Sequence, residues 1–225
     1  MHLSKSAIAL GLASVALGQK LKFMPLGDSI TEYTCWRAKV WDQLVTGGLS
    51  NNIDFVGSTN TNPANCKATS GSFDLDHEGH SGFEATEIAN LYIKDWAKAK
   101  PDIVNIHLGT NDISAGTSTS DIIGAIYTIL LALRAENPNV AVIVDKIIPN
   151  PSHVEQTQAL NAAIPVFVRT YTSEQSPMFT GDVSQEAGYK VEYNKADGVH
   201  PNDEGDKFIA GKIGPLLIKV IQYIS

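Results

Sequence analysis

Two apolar spacings alternate along the chain: short, nearly unbroken runs and longer stretches with a helical repeat. Residues 21–26, Leu-Lys-Phe-Met-Pro-Leu, form the first run and read as a strand. Trp36, Val40, Trp41 and Leu44 then recur at helical spacing, predicting a helix over 36–45 that stops at Gly47-Gly48. Residues 53–57 read as a second strand. Residues 84–98, with Ile88, Leu91 and Trp96 among their apolar positions, read as a helix that Pro101-Asp102 keeps apart from a third strand over 103–108. A polar loop over 114–120 ends in an N-cap serine for a helix over 121–137. The apolar run 140–148 is interrupted by Asp145 and Lys146, the pattern of a central strand buried on both faces whose C-terminal end reaches solvent. A helix over 154–173 follows, which Pro165 should kink or split. A minimal fifth strand at 178–180, a loop over 181–195 and a final helix over 203–223, broken or bent at Gly214-Pro215, complete the chain.

Five strands alternating with helices imply a parallel sheet, because parallel neighbours need crossover connections, and the crossovers cover both faces. The expected fold class is α/β, a three-layer α/β/α sandwich on a five-stranded parallel sheet. In such sheets ligand sites gather beyond the carboxyl ends of the strands. The longest irregular stretch, residues 58–80, starts just after a strand, so it is expected near the site mouth.

Composition adds compartment and partners. At 225 residues and 43% hydrophobic, the chain can bury one substantial core. Residues 1–18 carry Lys5 in a short polar start, an apolar stretch over 7–17 and a small-residue end, the layout of a secretory signal peptide. The expectation is a leader at 1–18, a single domain at 19–225, and a soluble, secreted, extracellular protein. That apolar stretch is too short to span a bilayer, and no later one is long and apolar enough. Removing the leader deletes one basic residue and no acid, so a net charge of -7 becomes -8. Such a surface argues against nucleic acid or anionic membrane as partner and tolerates a neutral polysaccharide. Cys35 and Cys66, the only cysteines, both lie in the presumed mature chain, where oxidising conditions favour a disulfide; two buried thiols are the alternative. No Cys-x-x-Cys or Cys/His cluster suggests a structural zinc, and no metal or cofactor is expected.

The candidate chemistry starts where the first apolar run ends, in Gly27-Asp28-Ser29, which presents a serine at a strand tip. A serine hydroxyl must lose its proton to a base as it attacks, so Ser29 needs an oriented histidine. Asp197-Gly198-Val199-His200 places an acid three residues before an imidazole, so one short loop can supply both remaining members of a triad. Between them stand Gly79-His80-Ser81-Gly82 and Gly109-Thr110-Asn111-Asp112, each where a strand or loop meets a helix start. Backbone N–H groups of Ser29 and Gly82 and the side-chain amide of Asn111 would make three oxyanion donors.

These four stretches, in this order, resemble the SGNH hydrolases, or GDSL family, whose blocks contribute in turn a serine, a glycine, an asparagine and a histidine. Ser29, Gly82, Asn111 and His200 match residue by residue. Met-Pro-Leu-Gly-Asp-Ser-Ile-Thr-Glu, Cys-Trp-Arg, Asp-Phe-Val-Gly-Ser and His-Glu-Gly-His-Ser-Gly further resemble carbohydrate esterase family 3, the acetyl xylan esterases. The resemblance covers residues 22 to about 205. It implies a flavodoxin-like strand order and a serine esterase that removes acetyl groups from a polysaccharide or oligosaccharide through an acetyl-enzyme, acting as a monomer without a cofactor. The rival readings are the same triad on other acyl esters or thioesters, which would want a long apolar trough, and a catalytically silent carbohydrate-binding protein.

Other residues compete for these roles. His2 would leave with the leader; His107 sits in a strand and reads as a core or supporting group. His77 and His80, with Asp74, Asp76 and Glu78, have metal-ligand types but no fixed ligand spacing, so a solvated loop is the default. His153 is the remaining histidine. Asp28 reads as a turn stabiliser and Asp203 as a cap of the last helix. Trp41 and Trp96 lie at packing positions, Trp36 could stack on a sugar ring, and Arg37 could pair with a block acid or reach toward substrate.

Overall fold

A computed structural model describes residues 20–225, so the expected leader at 1–18 lies outside the described residues. Strand β1 (Leu21–Gly27) runs into a one-turn helix α1 (Ser29–Tyr33) and then α2 (Trp36–Thr46). Next come β2 (Ile53–Phe55), β3 (Glu78–Gly79), α3 (Ala85–Leu91), α4 (Ile93–Trp96), β4 (Ile103–His107) and α5 (Thr110–Ser114). The chain closes with α6 (Thr119–Glu136), β5 (Ala141–Lys146), α7 (Val154–Tyr171), β6 (Met178–Asp182) and α8 (Asp203–Ile224).

All strand pairs are parallel, in the order β2-β1-β4-β5-β6. β3 also pairs with β1, at Leu26↔Glu78 and Gly27↔Gly79, above the β2 contacts at Leu21↔Ile53 to Phe23↔Phe55. β2 and β3 are thus two pieces of one edge. Counted so, the sheet has five parallel strands in flavodoxin-like order, as expected. The strand alternation sorts side chains between layers: Met24, Leu26, Val104 and Val142 pack with α3, α6 and α7, while Phe23, Ile103 and Ile143 pack with α2 and α8. Among the described residues no helix is long and apolar enough to cross a membrane.

Several boundaries differ from the pattern reading. The helix expected over 84–98 is divided among α3, α4 and a 3-10 turn at Ala97–Ala99, ending in left-handed Lys100. Pro165 does not split α7. Its missing N–H frees one carbonyl, but the buried stripe Leu160, Ile164, Phe167 and Val168 holds the helix to the sheet. Pro215 likewise lies inside an unbroken α8, on an exposed position beside the contact with α2. At that contact, an added Cβ on Gly214 would lie 2.1 Å from Gln43 Oε1, and Gln43 Nε2 donates to the Ala210 carbonyl at 3.0 Å. Ser118, rather than Ser120, caps α6, its hydroxyl accepting from the Asp121 N–H. Asn202, rather than Asp203, caps α8; Asp203 instead pairs with Lys39 and Lys207.

The long segment 58–80 folds back over α1 and α2. Cys35 and Cys66 form a disulfide. Arg37, buried, points its guanidinium at the carbonyls of Thr31, Leu75 and Thr61, so it ties this segment to α1 and reaches no substrate surface. Trp36 is also buried, its indole N–H donating to the Ile30 carbonyl, which removes it as a sugar platform.

Candidate active site

The turn that presents Ser29 is made by three neighbours. Gly27 must lack a side chain, because a Cβ there would lie 2.1 Å from Thr31 Oγ1 and 2.8 Å from the His107 carbonyl. Asp28 caps α1, its Oδ1 accepting from the Ile30 N–H at 2.8 Å. Ser29 therefore occupies the first helical position, where its own N–H has no helical partner. The residue is only 7% exposed, and its hydroxyl lies 2.8 Å from His200 Nε2.

The loop that carries His200 is as tightly specified. His200 Nδ1 lies 2.9 Å from Asp197 Oδ2, while Asp197 Oδ1 accepts the Val199 and His200 N–H groups, each at 2.9 Å. Against a burial penalty, those N–H groups and the imidazole hold the Asp197 carboxyl down at about 2. Gly198, at φ +74°, supplies the left-handed residue the tight loop requires. Asn194, buried, braces the loop from beneath. Its Nδ2 donates to the Pro149 and Gly198 carbonyls, and its Oδ1 accepts from the buried Tyr189 hydroxyl at 2.8 Å. The pattern reading missed Asn194 and Tyr189; a lone amide in a polar loop gives no local sign of its partners.

The second and third blocks close around the same point. β3 is drawn against β1, and the His80 N–H donates to the Gly27 carbonyl at 3.0 Å. Gly82 follows at φ +84°, and its N–H has no partner among the described residues. Asn111 donates one amide hydrogen to the Phe83 carbonyl at 2.9 Å, joining block three to block two and leaving its other hydrogen for a ligand. Asp112 is structural, its carboxylate accepting from the Ala85 and Thr86 N–H groups at the start of α3.

The remaining histidines have other work. Both nitrogens of buried His77 are engaged, Nδ1 accepting from the Gly79 N–H and Nε2 bonded to the Thr61 carbonyl. Burial, with the nearby Arg37 charge, pushes it down to about 4, so it is neutral at physiological pH. His80 stacks on Trp96, with ring centroids 4.5 Å apart, and bonds Glu78 at 2.6 Å. Among the described residues no three His, Cys, Asp or Glu side chains gather as metal ligands would. His107 is buried at the end of β4 against Asp145, and His153 precedes α7.

Asp197 and His200 retain 47% and 30% of their side-chain exposure, so their side of the triad opens at the surface, above the buried Ser29. The arrangement can deprotonate a serine hydroxyl and offers the N–H groups of Ser29 and Gly82 and the Asn111 amide to a negatively charged oxygen.

The model of the GDSL-like Lipase/Acylhydrolase family matches residues 26–208. An acetyl esterase mutant crystallised with an acetate ion is 49% identical, with a TM-score of 0.88 over 91% of this chain and 100% of that one. A carbohydrate esterase family 3 structure from Talaromyces cellulolyticus gives the same identity, TM-score and coverage. A Clostridium thermocellum family 3 carbohydrate esterase is 28% identical, with a TM-score of 0.74 over 92% of this chain and 99% of that one. Among curated proteins, none matches.

Proposed function

Because the chain belongs to the GDSL-like lipase/acylhydrolase family, we propose that it is a secreted serine esterase removing O-acetyl groups from plant cell-wall polysaccharide, acetylated xylan first. The observation that carries this reading is the hydrogen-bonded chain from Asp197 through His200 to Ser29. In the first step His200 Nε2 takes the hydroxyl proton as Ser29 Oγ bonds to the acetyl carbonyl carbon. The oxygen then carries negative charge, which the N–H groups of Ser29 and Gly82 and the Asn111 amide receive. Collapse breaks the bond to the sugar oxygen, which leaves with the proton from His200. Water, deprotonated by the same imidazole, then attacks the acetyl-serine and releases acetic acid, restoring Ser29.

Three features support a saccharide substrate. The His200 and Asp197 side of the site is exposed enough for a polymer to lie across it. The net charge of -7 suits a neutral polysaccharide better than an anionic one. The acetyl esterase and family 3 carbohydrate esterase structures align over their whole length. The signal-like residues 1–18, ahead of one catalytic domain at 19–225, and the Cys35–Cys66 disulfide suit an extracellular enzyme. The test is acetate release, measured side by side on acetylated xylan, acetylated pectin fragments and a long-chain acyl ester. Release from xylan first is the expected result. Preference for the long-chain ester would move the chain among lipases, and no hydrolysis of any ester would leave a carbohydrate-binding protein.

A further inference from the structure

Beneath the Ser29 turn, on the face of the sheet covered by α8, lies a buried polar group that the acyl-transfer steps do not use. Asn105 and His107 project from β4 on the same face and both reach Asp145 of β5. Asp145 Oδ1 accepts from Asn105 Nδ2 at 2.9 Å, and its Oδ2 lies 3.1 Å from His107 Nδ1. Room for it is made by Gly181 on the neighbouring strand, where a Cβ would lie 1.9 Å from Asp145 Oδ1.

Asn105 Nδ2 donates to Asp145 Oδ1, and with Asp145 as the carboxylate His107 Nδ1 donates to Oδ2. Burial pushes the Asp145 carboxyl up, and His107 and Asn105 pull it back. Among the buried polar atoms without a partner are His107 Nε2, Asn105 Oδ1 and the second oxygen of Asp28, the residue beside the nucleophile. If Nε2 were bare, all three would be acceptors, each at the cost of an unmade hydrogen bond. A proton on Nε2 makes it a donor, complementary to the Asp28 oxygen through one buried water.

We propose that His107 is held as an imidazolium between Asp145 and Asp28, a buried cation beneath the Ser29 turn that balances the Asp28 carboxylate and so positions the nucleophile. Burial opposes charge on His107, but Asp145 and Asp28 outweigh it and raise the imidazole above its ordinary range. Burial pushes Asp28 up, and His107 is the first of the groups that pull it back. The other charges around the pair are engaged elsewhere. Asp112 of α5 is bonded to Ala85 and Thr86, His200 to Asp197 and Ser29, and Asp182 of β6 to Lys146 and Ser184. Asp206 of α8 accepts from the Cys35 N–H. His107 is thus a positioning residue. That role rests on Ser29 being the nucleophile, whereas its charge does not.

The test is nitrogen NMR of protein labelled with 15N-histidine, with His107 assigned by its loss in His107→Gln. Both ring nitrogens of His107 should carry hydrogen at pH 7, and in Asp28→Asn its titration midpoint should fall by about one pH unit or more. A neutral imidazole at pH 7, or a midpoint unmoved by Asp28→Asn, overturns the proposal. In the esterase assay, His107→Gln should lower kcat about tenfold or more with KM nearly unchanged, and a raised KM at constant kcat would remove the positioning role. Should His107→Gln fail to fold, the titration in folded Asp28→Asn decides. If the wild type hydrolyses no ester, the functional reading fails while the NMR result still settles the charge.

Discussion

His200 Nε2 and Ser29 Oγ meet at 2.8 Å although 171 residues of chain separate them. β1 delivers the serine from the middle of the sheet, and the long return from β6 brings the histidine back over the strand ends. Because the hydroxyl forms a single bond at a strand tip, Ser29→Ala should abolish ester hydrolysis with a melting temperature within a degree or two of the wild type. Parallel loss of folding and activity would make Ser29 a structural residue.

Asp197 and His200 should behave as one unit. His200→Ala is expected to cost nearly as much kcat as Ser29→Ala, while Asp197→Ala leaves measurable activity, since the acid orients the imidazole and takes no proton itself. The double variant should be no worse than His200→Ala alone. Multiplicative losses would show two independent roles.

Asn194 holds the Pro149 and Gly198 carbonyls and the Tyr189 hydroxyl at once. Asn194→Ala should destabilise the fold by roughly 1–3 kcal/mol, the cost of stranding such groups. It should also lower kcat more than it raises KM, because His200 loses its brace. Denaturant melts and steady-state kinetics on one preparation test both effects.

The Cys35–Cys66 disulfide closes a separation of 31 residues and pins the long segment beside α1. On the chain-entropy estimate such a loop contributes about 3 to 4 kcal/mol. Cys35→Ser should lower the melting temperature accordingly. Mass spectrometry of the unreduced wild type should show the cross-link and no alkylatable thiol.

Asp206 gives the stability a pH dependence of definite sign. Burial, only partly offset by the Cys35 N–H, pushes its carboxyl up to about 6. A raised folded-state value means that its contribution is complete below the unfolded value of about 3.9 and is lost as pH rises through 6. Asp206→Asn should therefore remove a loss of stability between pH 4 and 6 that the wild type shows. Thermal melts across that range, with identical pH profiles for the two proteins, would refute it.

The chain by itself determined the elements and the chemistry. Short apolar runs, helical repeats and glycine turns are local signals, and five strands alternating with helices leave few ways to bury both faces of a sheet. The serine, glycine, asparagine and histidine stretches were legible because each is a contiguous phrase in a fixed order. Packing decided what no phrase contains. The continuity of α7 through Pro165 and of α8 through Pro215 depends on buried stripes that hold each helix to the sheet, outweighing one lost hydrogen bond. The two-piece edge of β2 and β3, the turn of Arg37 inward onto three carbonyls and the bracing of the catalytic loop by Asn194 all join residues distant in sequence. Such contacts depend on which side chains share a buried space, and that is settled only when the strands have taken their order and the long loops have closed over them.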